Sequence, residues 1–117
     1  MRDILPFFKA LGDETRLNML WLLMNHRELC VCDFMEVLQI TQSKASRHLR
    51  SLFHADLVSD RREGLWVYYS LQFGKDPLVR STLRAMKTKM TANTSAQQLL
   101  TSLDAWTKTK SGEERCA

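Results

Sequence analysis

The sequence has no long apolar run and contains few glycines, prolines and cysteines. None of its apolar stretches approaches the roughly 18 residues that a membrane-spanning helix needs, and Met1-Arg2-Asp3 is not followed by a signal-type apolar core. We therefore expect a soluble, cytoplasmic protein with no membrane partner. Three cysteines among 117 residues are few and odd in number, so a disulfide framework is not expected in a reducing compartment. Reactive or metal-binding thiols remain possible.

Motifs of the common enzyme classes are also missing. With only four glycines, the chain has no phosphate-binding glycine loop, and it shows neither a Ser/His/Asp set nor paired acid and base carboxylates. An enzyme, for example a small thiol-dependent reductase, is therefore not favoured. A module that only binds another protein is a further alternative. The length of 117 residues suits one compact domain.

The positive charge is concentrated in the later part of the chain. Residues 1–36 hold four Lys and Arg against six Asp and Glu, whereas residues 37–117 hold thirteen against seven. This asymmetry favours an anionic partner for the later part, although basic solvated faces without a partner are common.

The first half of the chain predicts consecutive short helices. Asp13 is a predicted N-cap for a helix that closes around residues 25–26. A short apolar-periodic segment follows the cysteines of "ELCVCDF", and the polar turn at residues 39–41 separates it from a helix capped by Thr41. Two short helices joined by a tight turn form a helix-turn-helix. The inward residues predicted for the second helix are Ala45, Leu49, Leu52 and Phe53.

The outward face of that second helix carries side chains suited to nucleic acid. Gln and Arg bond base edges, and Ser and Lys contact phosphates or bases. The predicted DNA-binding set is Gln42, Ser43, Lys44, Ser46, Arg47 and Arg50. Alone, this pattern is more typical of an ordinary solvated helix face. The short turn before the helix and the basic hairpin after it favour the DNA-binding interpretation.

A β-hairpin is predicted directly after the helix-turn-helix. The stretch "LVSDRREGLWVYYSL" alternates around β-branched and aromatic residues, and Gly64 suits a turn that needs positive φ. The fold class is therefore mostly α with a small β-hairpin, a winged helix-turn-helix. We predict that Arg61 and Arg62, near the hairpin tip, meet phosphates or a minor groove.

A further helix is predicted to begin at Asp76-Pro77. It carries an apolar seam suited to packing on another helix, and a second subunit can supply that helix. The seam residues are Val79, Leu83, Met86 and Met90. After residue 90 the composition shifts to Thr, Ser, Asn and Gln. We predict a domain at residues 1–90 and an extension at 91–117, with an amphipathic helix at about 95–107 followed by a flexible tail.

Four ordered motifs resemble one family. "LGDETRLNMLWLL", "ELCVCDF", "TQSKASRHLRSL" and "DRREGLWVYYSL" are similar in order and spacing to the ArsR/SmtB winged-helix metalloregulatory repressors, and "ELCVCD" resembles the arsenic- and antimony-sensing subgroup. The resemblance covers about residues 4–90. It implies a homodimer that binds double-stranded operator DNA without a cofactor, represses a metalloid-resistance operon, and is released by As(III) or Sb(III). For this dimer we predict contacts from the first helix, Leu5 and Phe8, and from the 76–90 seam.

The spacing of Cys30 and Cys32 suggests how such a ligand acts. In a regular helix, residues i and i+2 point roughly 200° apart, whereas in extended backbone they share a side. A soft As(III) or Sb(III) centre bound by both thiolates therefore selects a state in which the helix start is unwound, which displaces the following recognition helix. The alternatives are two small buried hydrophobes, or a redox-responsive pair, although a disulfide across one intervening residue is strained.

One position departs from the family pattern. Where the better-known arsenic repressors carry a third cysteine, this chain has Met35, a weak thioether donor. Cys116 is the remaining candidate for a third ligand, the alternative being an unused thiol near the chain end. Zinc is disfavoured at the helix after the hairpin, because it has Asp76 but no His. Cd(II) or Pb(II) is the alternative inducer, although family members that sense them carry additional cysteines in an N-terminal extension, which residues 1–29 lack.

Overall fold

The computed structural model describes residues 4–72, 74 and 76–109, and these form a winged helix-turn-helix. The described elements are α1 Leu5–Leu11, α2 Glu14–Asn25, β1 Leu29–Cys30, α3 Val31–Leu38, α4 Gln42–His54, β2 Val58–Glu63, β3 Trp66–Leu71, α5 Pro77–Thr91 and α6 Thr94–Thr109. The predicted class, mostly helical with a small hairpin, is confirmed.

Helix boundaries follow local side-chain chemistry. The Asp13 carboxylate accepts a hydrogen bond from the Arg16 amide at 3.0 Å, and the Thr41 hydroxyl accepts one from the Lys44 amide at 3.1 Å. Both predicted N-caps are therefore confirmed. The helix-turn-helix turn is tight because Gln39 takes the left-handed conformation at φ 54° and its amide bonds back to the Met35 carbonyl.

The sheet has one strand more than the sequence predicts. β2 and β3 form the expected hairpin, with Gly64 at φ +63° in its turn. The two-residue β1 pairs antiparallel with β3, with Cys30 opposite Tyr68, so the strand order is β1-β3-β2. β1 is too short for any alternation in the sequence, and only its pairing with β3 defines it.

The core lies between α2, α3, α4 and the packed face of α6. In α4, Ala45, Leu49 and Leu52 are fully buried as predicted, but Phe53 is 42% exposed. The fourth inward position belongs to His48, which is 7% exposed, because the buried stripe continues at helical spacing and Phe53 lies about 100° beyond Leu52.

The C-terminal helix packs into this same core. Ala96 and Leu103 are buried, and Leu99, Leu100 and Trp106 pack against the core from the same helix face. The Trp21 indole N–H donates to the Ala96 carbonyl at 2.7 Å and fixes the start of α6 on α2. The amphipathic helix predicted at about residues 95–107 corresponds to α6, which spans Thr94–Thr109. The predicted tail beyond it lies outside the described residues.

Candidate thiol site and nucleic-acid interface

Cys30 and Cys32 lie on either side of a change in backbone conformation. Cys30 ends β1 and is the N-cap of α3, with extended backbone at φ −101° and ψ 170°, while Cys32 lies in the first turn of that helix. Cys32 is partly exposed, but Cys30 is only 2% exposed. Cys30 therefore has the burial of a small core residue, because the pairing of β1 with β3 covers it.

A buried carboxylate organises the start of α3. Asp33 is 3% exposed, and its Oδ2 accepts hydrogen bonds from the Cys30 amide at 2.8 Å and from the Cys30 thiol at 3.3 Å. Its Oδ1 accepts one from the indole N–H of Trp106, in α6, at 2.8 Å. A carboxylate is buried at low cost only when its oxygens are hydrogen-bonded in this way.

Both cysteines line one cavity of about 350 Å³ that also touches the recognition helix and the wing. Gln42 begins α4, and Leu65 and Trp66 lie at the turn between β2 and β3. Met35, at the position of the missing third cysteine, lines the same cavity. The full lining is Cys30, Val31, Cys32, Met35, Gln42, Leu65, Trp66 and Val67. A ligand held by the cysteines is therefore adjacent to both elements predicted to contact DNA.

The third predicted ligand, Cys116, lies outside the described residues. Within residues 4–72, 74 and 76–109, no three His, Cys, Asp or Glu side chains converge in a way that could hold a metal ion. Over this part of the chain, the two cysteines and the Met35 thioether are the soft donors at the cavity.

The predicted recognition face of α4 is solvent-accessible. Gln42, Ser43, Arg47 and Arg50 are exposed, and Lys44 and Ser46 are partly exposed. Since α4 contains no Asp or Glu, its positive charges are not compensated from within the helix.

The two arginines of the wing differ in their surroundings. The Arg61 guanidinium makes two hydrogen bonds of 2.9 Å to Glu28 and one of 2.6 Å to Glu63, and it lies over the Tyr68 ring at 4.6 Å. Hydrogen bonds to Glu28 and then Glu63 raise the pKa of Arg61 above its ordinary value. Arg61, predicted to contact DNA, is thus engaged by two carboxylates within the protein. Arg62, the next residue along the strand, is exposed.

Tyr69 shows that the wing and the recognition helix present positive charge to the same region. Burial raises the pKa of its phenol, and Asp60 raises it further, while Arg62 from β2 and Arg50 from α4 oppose that shift. Both arginines thus lie close enough to act on one side chain. Arg50 of α4 and Arg62 of β2 therefore act on the same side chain from two different elements.

Arg16 connects three helices, and His48 is its partner in α4. Arg16 of α2 donates to His48 Nδ1 at 3.1 Å and to the α1 carbonyls of Ala10 at 2.8 Å and Lys9 at 3.1 Å. Burial lowers the pKa of His48, and the charge of Arg16 lowers it further, against the opposing effect of Asp13. The bond from Arg16 to His48 therefore fixes α4 on α2, and the bonds from Arg16 to the α1 carbonyls connect both helices to α1.

The predicted dimer residues fall into two groups. Leu5 and Phe8 are 50% and 48% exposed on α1, and Val79, Met86 and Met90 are partly exposed on α5. Leu83, however, is only 2% exposed, because α5 turns it onto the protein's own core. Leu83 is therefore withdrawn from the predicted interface residues.

Sequence reasoning missed three residues that shape the site: Glu28, Asp33 and Trp106. Asp33 had a local signal, since an acidic residue three positions after an N-cap completes a capping box. Glu28 and Trp106 act on partners 33 and 73 residues away in sequence, and no local pattern indicates such pairs.

Among the described residues, no helix combines the length and apolarity needed to cross a bilayer.

Two comparisons of sequence agree on the type of protein. Residues 13–60 match the family described as bacterial regulatory protein, arsR family. The arsenic resistance transcriptional regulator ArsR1 of Pseudomonas putida is 47% identical over 74 residues, which cover 61% of this chain and 58% of that protein. A cadmium resistance transcriptional regulatory protein CadC homolog of Staphylococcus aureus is 42% identical, over 59% of this chain and 57% of that protein. The matched stretch thus spans less than two thirds of these relatives.

Solved structures extend the match over more of the fold. The transcriptional regulator HlyU of Vibrio vulnificus has a TM-score of 0.60 and 34% identity, over 71% of this chain and 82% of that one. The AntR antimony-specific transcriptional repressor has a TM-score of 0.56 and 28% identity, over 67% and 68% of the two chains. These relatives are transcriptional regulators, not enzymes. The helix-turn-helix, the wing and these matches together show that the chain belongs to the arsR family of bacterial regulatory proteins.

Proposed function

We propose that this protein is a homodimeric repressor of a metalloid-resistance operon, released from its operator when As(III) or Sb(III) binds the thiolates of Cys30 and Cys32. The observation that carries the proposal is the cavity lined by both cysteines, by the first residue of α4 and by the wing turn. A relative named for arsenic resistance and a structural neighbour named as an antimony-specific repressor support the choice of inducer.

The binding chemistry needs no oxidant. In the reduced protein, in which both cysteines are thiols, arsenious acid exchanges two of its three hydroxide groups for the sulfurs of Cys30 and Cys32, and each released hydroxide leaves as water with a thiol proton. Two As–S bonds form, two As–O bonds and two S–H bonds break, and arsenic stays trivalent. The remaining hydroxide, an external thiol or Cys116 completes the three ligands.

Binding at both sulfurs favours a different backbone at the start of α3. Cys30 already has extended backbone, whereas Cys32 lies in the first helical turn. Extending the chain by two residues would place both sulfurs on one side. A ligand that binds only this state shifts the population toward it. Because α3 precedes the recognition helix and β1 pairs with the wing strand β3, a change at the start of α3 shifts both DNA-contacting elements.

An operator gel shift in a phosphine reductant tests the inducer assignment, since a thiol reductant would compete for the metalloid. The Cys30→Ser, Cys32→Ser variant should bind operator normally and stay bound when arsenite or antimonite is added. Cys116→Ser is the matched control and should still be released. Release of the double variant would contradict the proposal, and release of the wild-type protein by Cd(II) or Pb(II) alone would favour the cadmium-type alternative.

X-ray absorption on the arsenite complex determines the ligand number. If Cys116 is the third ligand, the wild-type protein shows three sulfurs and Cys116→Ser shows two. Identical spectra would remove Cys116 from the site.

The recognition face is tested separately by substitution in α4. Arg47→Ala should weaken operator binding at fixed salt, because Arg47 is exposed on the outward face. Unchanged affinity for both Arg47→Ala and Ser46→Ala would show that another surface binds the operator.

A further inference from the structure

Helix α6 lies outside the residues 13–60 that match the family, yet it touches the candidate thiol site directly. Its Trp106 donates an indole hydrogen bond to Asp33, the same carboxylate that holds the Cys30 amide and thiol. Trp106 also lines a second cavity, of about 440 Å³, together with Cys32, Met35 and the helix-turn-helix turn at residues 39–41. One side chain of α6 is therefore linked to both cysteines.

We propose that Trp106 and Asp33 are positioning residues that hold the start of α3 in its helical form and set the inducer concentration at which the protein leaves DNA. This inference rests on the proposed function, since it concerns the response of the same cysteines. It adds a restraint from α6 that acts on the thiol site without supplying a ligand.

The hydrogen bonds explain how the restraint works. Asp33 is the third residue of α3, and its Oδ2 satisfies the amide of the N-cap Cys30. If residues 31 and 32 become extended, the distance from Cys30 to Asp33 changes and this bond is lost. The Trp106 bond to Oδ1 keeps the carboxylate where the bond to Cys30 forms, and so opposes the extended state that binds the metalloid.

Removing the indole donor should therefore make release easier. Loss of a hydrogen bond to a charged group changes an equilibrium constant by roughly tenfold or more. Because Trp106 is partly accessible to solvent, we expect the equilibrium between the helical and extended start of α3 to change by about three- to tenfold. We expect Trp106→Phe to be released from operator at antimonite concentrations about three- to tenfold lower than the wild-type protein.

Trp21→Phe provides a matched control. It makes the same chemical change and also removes an indole hydrogen bond that anchors α6, from Trp21 to the Ala96 carbonyl at 2.7 Å, but it does not touch Asp33. Its release midpoint should equal that of the wild-type protein. An equal shift in both variants would show that general docking of α6, not the Asp33 contact, sets the response, and would overturn the inference.

The wild-type protein supplies a second readout that does not depend on a variant's folding. In an NMR titration with antimonite, the indole N–H resonance of Trp106 should move and exchange faster with solvent, because its acceptor is displaced. An unchanged resonance at saturating antimonite, or equal midpoints for Trp106→Phe and the wild-type protein, would overturn the restraint. If antimonite and arsenite both fail to release the wild-type protein, the proposed function itself fails, which is a different result.

Discussion

The contrast between Arg61 and Arg62 yields a prediction about the salt dependence of DNA binding. A cation that neutralises a phosphate releases condensed counterions, and each such contact contributes about 0.9 to the slope of log affinity against log salt concentration. Arg62 is exposed, whereas Arg61 already bonds Glu28 and Glu63. Arg62→Ala should therefore reduce the slope by about 1.8 for a dimer that makes two equivalent contacts.

Arg61→Ala should leave this slope nearly unchanged, because the Arg61 guanidinium is engaged by carboxylates rather than by phosphate. Its loss exposes the charges of Glu28 and Glu63, so affinity falls through their repulsion of the phosphates and not through a lost phosphate contact. Fluorescence anisotropy of an operator duplex at four or more salt concentrations separates the two effects. If Arg61→Ala lowers the slope as much as Arg62→Ala does, Arg61 exchanges its carboxylate partners for phosphate on binding, and our interpretation of the wing is refuted.

Three other predictions concern stability and assembly. Leu49→Ala, at a fully buried position of α4, should cost about 3 kcal/mol in urea unfolding, and a cost below about 1 kcal/mol would mean that the α4 core is loosely packed. Burial lowers the pKa of His48, so the unfolded chain binds a proton near pH 6.5 that the folded protein does not. The free energy of unfolding should therefore fall as pH drops from 7.5 toward 5.5. The decrease is at most about 1.4 kcal/mol per pH unit. His48→Gln should flatten that dependence, and an unchanged slope would contradict it. Phe8→Glu on exposed α1 should shift sedimentation toward monomer and weaken operator binding, whereas a fully dimeric variant would exclude α1 from the interface.

The parts of the fold that the sequence predicts are those with local signals. The caps at Asp13 and Thr41, the inward stripe of α4 and the glycine turn of the wing each depend on residues within a few positions of one another. Phe53 was misplaced because an apolar residue at the end of a helix was counted as inward, although the helical period already assigns the neighbouring inward position to His48. The local pattern thus gave the elements correctly and one side-chain direction wrongly.

The candidate site was predicted less completely because its partners are distant in sequence. The burial of Cys30 depends on pairing with Tyr68, and the engagement of Arg61 depends on Glu28, so neither is visible within a single element. The contact between Asp33 and Trp106 spans 73 residues. The motif predicts which two cysteines form the thiol pair. The hydrogen bonds that hold the pair are visible only in the tertiary structure.

The position of Cys30 explains why a gap of only one residue between the cysteines suits a switch. Because β1 ends at Cys30 and α3 begins at Val31, the extended and helical conformations meet within the motif itself. Moving that boundary by two residues changes the first turn of one helix and leaves the buried core of α4 intact. Converting a population from 1% to 99% extended requires about 5.5 kcal/mol of differential binding. We infer that two sulfur–metalloid bonds made only in the extended form suffice for this change, while the hydrogen bonds at Asp33 keep the protein on its operator until those bonds form.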